Sequence, residues 1–123
     1  MLRGRLLTES LRVGVDLRVP SLRVVRVGRH DVSGSSSTGR PDIWTFLDFE
    51  APDETADDLA QALADTMTDD PGWYADFEVG GDHVVVFPGR VFRYVKGDNA
   101  ARNEAVEYGR SVGVPEHQLD WGG

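Results

Sequence analysis

The sequence predicts an α+β fold: an antiparallel sheet with two main helices packed on one face, in the order strand or strands, strand, helix, three-strand meander, helix. Three observations carry that expectation. The stretch Asp82 to Val95 places β-branched and aromatic residues on both sides of Pro88-Gly89, the composition of two paired strands. Ala56, Leu59, Ala60, Leu63, Ala64 and Met67 recur at helical spacing, as do Ala101, Ala105, Tyr108 and Val112. Runs of strands beside two separate helices, without strict β-α alternation, define the α+β class.

The elements follow in order. Residues 5–30 alternate, with Leu11, Val13, Val15, Leu17 and Val19 against Arg12, Gly14, Asp16 and Arg18. A period of two argues for strand. Pro20-Ser21 interrupts the run and Leu22, Val24, Val25 and Val27 resume it, so a hairpin and one long bent strand both stay open. Ser33 to Pro41 is rich in Ser and Gly and reads as a flexible linker. It lacks the Gly-Lys-Ser/Thr ending of a phosphate loop. Ile43 to Glu50 is apolar on both faces and reads as an interior strand. Pro52-Asp53 opens the first helix, with Asp53 as N-cap. Asp69-Asp70-Pro71-Gly72 ends it.

Trp73 to Val79 forms the first meander strand and turns through Gly80-Gly81. The Pro88-Gly89 hairpin is apolar on both faces, which places it inside the sheet. Asp98 caps the second helix and Gly113 stops it. Pro115 starts a last short turn, and Leu119 and Trp121 pin the C-terminus.

At 123 residues, with 40% apolar and 28% charged residues, the chain reads as one soluble domain spanning 1–123. It has no cysteine, so disulfide and thiolate chemistry are excluded. No apolar run approaches a membrane span, and no signal peptide is recognised, so the expected location is the cytoplasm, with no membrane partner. Arginine in place of lysine and valine in place of isoleucine suggest a GC-rich bacterial genome. The net charge of -8 argues against nucleic acid as a partner. Charge is uneven, however. Residues 1–40 hold eight arginines against Glu9, Asp16 and Asp31, a net of +5 that leaves -13 to the rest.

With two-residue loops at Gly80-Gly81 and Pro88-Gly89, Val79 opposes Asp82 and Phe87 opposes Arg90. One face then carries Trp73, Ala75, Phe77, Val84, Val86 and Val91, a core. The other carries the row Glu78, His83, Tyr94, then Asp76, Val85, Phe92, then Tyr74, Phe87, Arg90. Mixed aromatic and titratable groups are what a shallow ligand site or partner surface uses, so Tyr74, Glu78, His83, Val85, Phe87, Phe92 and Tyr94 form the candidate ligand or partner face. Glu78 beside His83 could orient the imidazole as an acid–base unit. A cross-strand polar row without function is the plainer alternative. The Pro88-Gly89 register stays open, because Pro-Gly favours a turn that suits tight hairpins poorly. The face is too apolar to stand bare on a small monomer, so the N-terminal arm or a second copy is expected to cover it, and a homodimer is expected. A protein partner is the other possibility.

No catalytic residue, metal ligand set or cofactor is assigned. The histidines His30, His83 and His117 lack metal-ligand spacing. The acids Glu54, Asp57, Asp58, Asp65, Asp69 and Asp70 lack a calcium-loop pattern. The serines show no nucleophile elbow. Function therefore reads as a non-catalytic cytoplasmic binding or regulatory domain.

Two resemblances bear on this. Phe92-Arg93-Tyr94, Gly97-Asp98, Gly113-Val114-Pro115 and Gln118-Leu119-Asp120-Trp121 resemble an uncharacterised family of small actinobacterial proteins, mainly over residues 43–121. That resemblance implies no activity and no site residue. Residues 43–95 read β-α-β-β-β, an order similar to one module of the glyoxalase/bleomycin-resistance superfamily. It implies paired modules and metal ligands on facing strands, for which Glu50 and His83 are the available residues, and a small-ligand enzyme using His83 as the alternative function.

Overall fold

In the computed structural model, residues 1–32 and 42–119 are described, the His117 side chain excepted. The expected linker at 33–41, and the expectations placed on His117, Asp120 and Trp121, lie outside the described residues. Among those described, six strands form one sheet: β1 (Leu2–Leu7), β2 (Arg23–Asp31), β3 (Ile43–Ala51), β4 (Ala75–Val79), β5 (Asp82–Phe87) and β6 (Arg90–Val95). Two helices, α1 (Ala56–Thr66) and α2 (Asn99–Ser111), complete the α+β fold. The strand order is β2-β3-β1-β4-β5-β6, and every pairing is antiparallel.

The helices lie on opposite faces of the sheet, which corrects the expectation that both pack on one. Val84 and Val86 join Leu59, Leu63 and Ala60 of α1 in one buried cluster. Val85 and Phe87 join Ala105 and Tyr108 of α2 in another. Side chains alternate across a strand, so these two sets point to opposite sides of β5. The physical reason is in Val84-Val85-Val86-Phe87 itself: a strand apolar on both sides needs a layer on each. A second correction concerns the margin. β5 is interior, but β6 is an edge strand and mostly half-exposed or exposed.

The predicted α1 stripe is observed in full, with Ala56, Leu59, Ala60, Leu63, Ala64 and Met67 each no more than 2% exposed. Its start differs from expectation. Asp53 opens a 3-10 turn, Asp53–Thr55, and pairs with the N-terminal amine at 3.0 Å, while α1 follows Thr55 without a side-chain cap. Asp98 does cap α2, accepting from the Ala101 amide at 3.1 Å. Gly113, at φ +92°, follows α2 in the left-handed region that an L side chain enters only at a cost. A short 3-10 turn, Glu116–Gln118, then brings Leu119 to 5% exposure.

β1 is the strand the alternation from residue 5 onward only grazed. It runs between β3 and β4 and separates β3 from the meander. After it, a 3-10 turn (Thr8–Ser10) leads into residues 11–22, which form no ladder. This corrects the strand expectation there and settles the open path between hairpin and bent strand. The alternation is nevertheless real: Val15, Leu17 and Val19 are half-buried while Asp16, Arg18 and Pro20 are exposed. The segment is an extended cover on the α1 side, packing Leu11, Leu17, Val19 and Leu22 against the core.

Candidate functional site

The α1 side holds a cavity of about 450 Å³ between the sheet, α1 and the 11–22 segment. Its floor is Leu6 of β1 with Leu47 and Phe49 of β3, its back wall Leu59 and Leu63 of α1, and its cover Leu11, Val15, Leu17 and Leu22. Backbone bonds fix where the cover begins. Arg12 N–H donates to Thr66 C=O at 2.8 Å, and Thr68 N–H donates to Ser10 C=O at 2.7 Å. The cover ends at Ser21, whose φ of +65° is unusual for a residue with a Cβ and turns the chain into β2. Between these points the segment joins no ladder; it packs through Leu17, Val19 and Leu22, and a local bond from Leu22 N–H to Val19 C=O at 3.2 Å closes its end.

The polar residues of the lining are Thr8, Asp16 and Arg18. Asp16 and Arg18 face each other at 3.9 Å with side chains more than 80% exposed, so they stand at the rim. An apolar body of this volume with a few polar groups at one end is the usual form of a small-molecule site.

The opposite side carries the face singled out from the sequence, and its register is the expected one. Glu78 opposes His83, His83 opposes Tyr94, Asp76 opposes Val85, Val85 opposes Phe92, and Phe87 opposes Arg90. No slip occurs at Pro88-Gly89. Gly89 takes φ +72°, and its N–H donates to Ala64 C=O at 3.0 Å, tying the hairpin tip to α1. Within the chain, the cover of this face is α2 rather than the N-terminal arm. Val85 and Phe87 are fully buried beneath it, and Phe87 and Phe92 pack on Tyr108 at 4.9 and 5.5 Å between ring centroids. Arg90 lies over the Phe92 and Tyr108 rings. Tyr74 is half-buried, its hydroxyl donating to Gln118 C=O at 3.2 Å.

His83 is 3% exposed, and its ring stacks on that of Tyr94 at 5.7 Å. Its partner is Asp76 rather than Glu78: Nε2 donates to Asp76 Oδ2 at 2.9 Å. Glu78 is drawn away by Lys96, 2.7 Å distant, which holds its carboxyl below the usual range. Burial pushes the Tyr94 hydroxyl up. Asp76 also lines a second cavity, of about 290 Å³, with Arg5, Trp44, Phe46, Trp73 and Tyr74. Glu50 is held by Arg3 at 3.1 Å and lies across β1 and β4 from His83. Among the described residues no group of three or more His, Cys, Asp or Glu is placed to hold a metal ion.

The structure thus brings His83, Val85, Phe87 and Tyr94 together as an interior, with Tyr74, Phe92 and Glu78 at its margin. It places the 450 Å³ cavity where the sequence pointed to no site. The available signal was the period-two pattern over Val15, Leu17 and Val19: three apolar residues needing a surface to lie on.

No known protein family matches this chain, and neither a curated protein nor a solved structure matches it. No helix among the described residues is long and apolar enough to cross a membrane.

Proposed function

We propose that the protein is a non-catalytic cytoplasmic binding domain that takes a small, mainly apolar ligand under its 11–22 segment. The observation that carries this is the lining of the 450 Å³ cavity, aliphatic and aromatic throughout except for Thr8, Asp16 and Arg18. Among the described residues no imidazole or buried carboxylate lines it, so it offers packing and desolvation rather than proton transfer. The ligand has an apolar body and a polar end, the end resting by Asp16 and Arg18. Association of two copies through the Tyr74–Phe92 face is not part of this proposal, because α2 occupies that face.

The test is a thermal-shift series with straight-chain alcohols and carboxylates of increasing length. Ligand that binds the folded state raises the melting temperature with concentration. The expected result is an optimum chain length, lost in the cavity-filling variant Leu22→Trp, which remains folded by circular dichroism. No shift at any length, or an equal shift in Leu22→Trp, would remove the proposal.

A second reading, a small-ligand enzyme using His83, is favoured by one observation: Asp76 touches His83 on one side and lines the 290 Å³ cavity on the other. In this reading His83 acts through Asp76, and activity on a small substrate disappears in His83→Ala. The binding-domain reading expects His83→Ala to leave ligand-induced shifts in place.

A further inference from the structure

The α2-side face of the sheet carries its charges in rows that cross the strands. One row reads Arg23, Glu50, Arg3, Glu78, His83 and Tyr94 from β2 to β6. The next reads Arg26, Asp48, Arg5 over β2, β3 and β1. Basic and acidic residues alternate along both, the arrangement that favours directly opposed cross-strand pairs. Within the rows the carboxylates are already taken. Arg3 holds Glu50 at 3.1 Å, and Arg5 holds Asp48 with two bonds of 2.7 and 3.3 Å. Each row therefore stops on an arginine of β2, the edge strand of the sheet among the described residues.

Arg12 donates to Met67 C=O and Arg90 lies over the Phe92 and Tyr108 rings, both without a carboxylate, while a second group of arginines is ion-paired. Arg3, Arg5, Arg18, Arg93 and Arg110 each have a carboxylate within ion-pair distance. Arg23 and Arg26 have none at that distance among the described residues, in a chain with 21 acidic residues, and Arg26 acts on Asp48, already bonded to Arg5, only from longer range. Arg29, further along β2, donates to Thr45 Oγ1 at 3.3 Å instead. Every residue of β2 is exposed except the half-buried Gly28. A bulge in the pairing between Val24 and Arg26 sets Arg23 and Arg26, three apart, on the same side of the sheet. Without it they would point to opposite faces.

We infer that the outer edge of β2 is a docking site for an extended acidic segment of another protein, which adds as a seventh strand and continues both rows with carboxylates opposite Arg23 and Arg26. Main-chain bonds from an edge strand supply affinity in this mode, and the side-chain pattern supplies specificity. A second copy does not fit, because two β2 strands would set six arginines against two aspartates. That repulsion is also what keeps a bare edge from pairing with itself. A nucleic acid fits poorly, since it has no main chain for the ladder and meets a net charge of -8.

The probe is a blocked synthetic peptide of alternating glutamate and valine, titrated into the full ¹⁵N-labelled chain. Amide shifts and exchange protection are expected to concentrate in residues 23–31. The double variant R23E/R26E should weaken binding by about tenfold or more and should instead bind the lysine–valine peptide that the wild type rejects. That exchange of preference is a readout that damage to the fold does not produce. R26Q keeps the test readable by removing one charge with little change of shape, and its affinity should fall between those of wild type and R23E/R26E. The inference is overturned by no shift at about 1 mM peptide, by equal binding of the lysine–valine peptide, by protection lying elsewhere, by R26Q binding as wild type does, or by a single-stranded oligonucleotide outcompeting the glutamate peptide.

Discussion

β2 and β5 are both valine strands, and they meet opposite fates. Val84, Val85 and Val86 are each 1% exposed or less, whereas Val24, Val25 and Val27 are 49, 49 and 61% exposed. β-branched composition makes a strand in both cases. Burial is decided by what passes above and below. β5 lies between α1 on one face and α2 on the other, while β2 lies at the sheet margin and, among the described residues, joins neither buried cluster. The difference separates two kinds of information: side-chain shape selects the ladder, and topology selects which ladder becomes core.

The largest expected effect tests the closed end. Phe87→Ala, on the α2 side, should cost about 3–5 kcal/mol, and Leu63→Ala, on the α1 side, about 2–5 kcal/mol, because each empties a site that is essentially fully buried. Val27→Ala at the open end should change stability by less than about 0.5 kcal/mol. Urea melts of the three variants check this. A Val27→Ala cost equal to that of Phe87→Ala would erase the distinction between the two ends.

A middle-sized effect is expected at the boundary. Phe92 is half-buried between β6 and α2, against Phe87 and Tyr108. Phe92→Glu should destabilise the fold by about 1–3 kcal/mol, because the ring's packing on Phe87 and Tyr108 is lost and a partly desolvated carboxylate is only in part offset by the neighbouring Arg90. Sedimentation should show the same mass for wild type and variant. A drop in mass with unchanged stability would show that the face is held by a second copy rather than by α2.

Much of this fold is legible in the sequence, and what is not has physical causes. The α1 stripe, the meander and its register can be read because they rest on local spacing: one helical period, and two loops of two residues. Helix placement cannot be read from either helix alone; it depends on which side of β5 each one reaches, a long-range choice. The strand expected over 11–19 fails for a related reason. Alternation reports that one side of an extended chain is buried, not that the chain has ladder partners. Here Val15, Leu17 and Val19 are half-buried against the core beneath them, and the cavity they cover is invisible until that packing is known. The candidate face was correct in composition and register, yet His83, Val85, Phe87 and Tyr94 read equally well as an interior. Only the position of α2 separates an interior from a surface.

The smallest effect expected lies inside that interior. Tyr94 is 5% exposed, and its hydroxyl has no hydrogen-bond partner among the described residues. Its ring does the packing, stacked on His83. Tyr94→Phe keeps the ring and removes a buried polar atom without stranding a partner, so stability at pH 7 should change by less than about 1 kcal/mol, in either direction. The difference between the two proteins should grow only in alkali. Burial raises the Tyr94 pKa above its unfolded value of about 10. Below that value both states keep the proton, and the contribution of the neutral hydroxyl is fully present. As pH rises further the unfolded chain ionises first, and that contribution is lost as pH passes through the folded-state pKa. Wild type should therefore lose stability above about pH 10 relative to Tyr94→Phe. Urea midpoints for both at neutral pH and at about pH 10.5 measure this. A loss of about 1–3 kcal/mol in Tyr94→Phe at pH 7 would show that the hydroxyl is paired, and parallel alkaline profiles would show that Tyr94 is open to solvent and that α2 does not seal the closed end of the sheet.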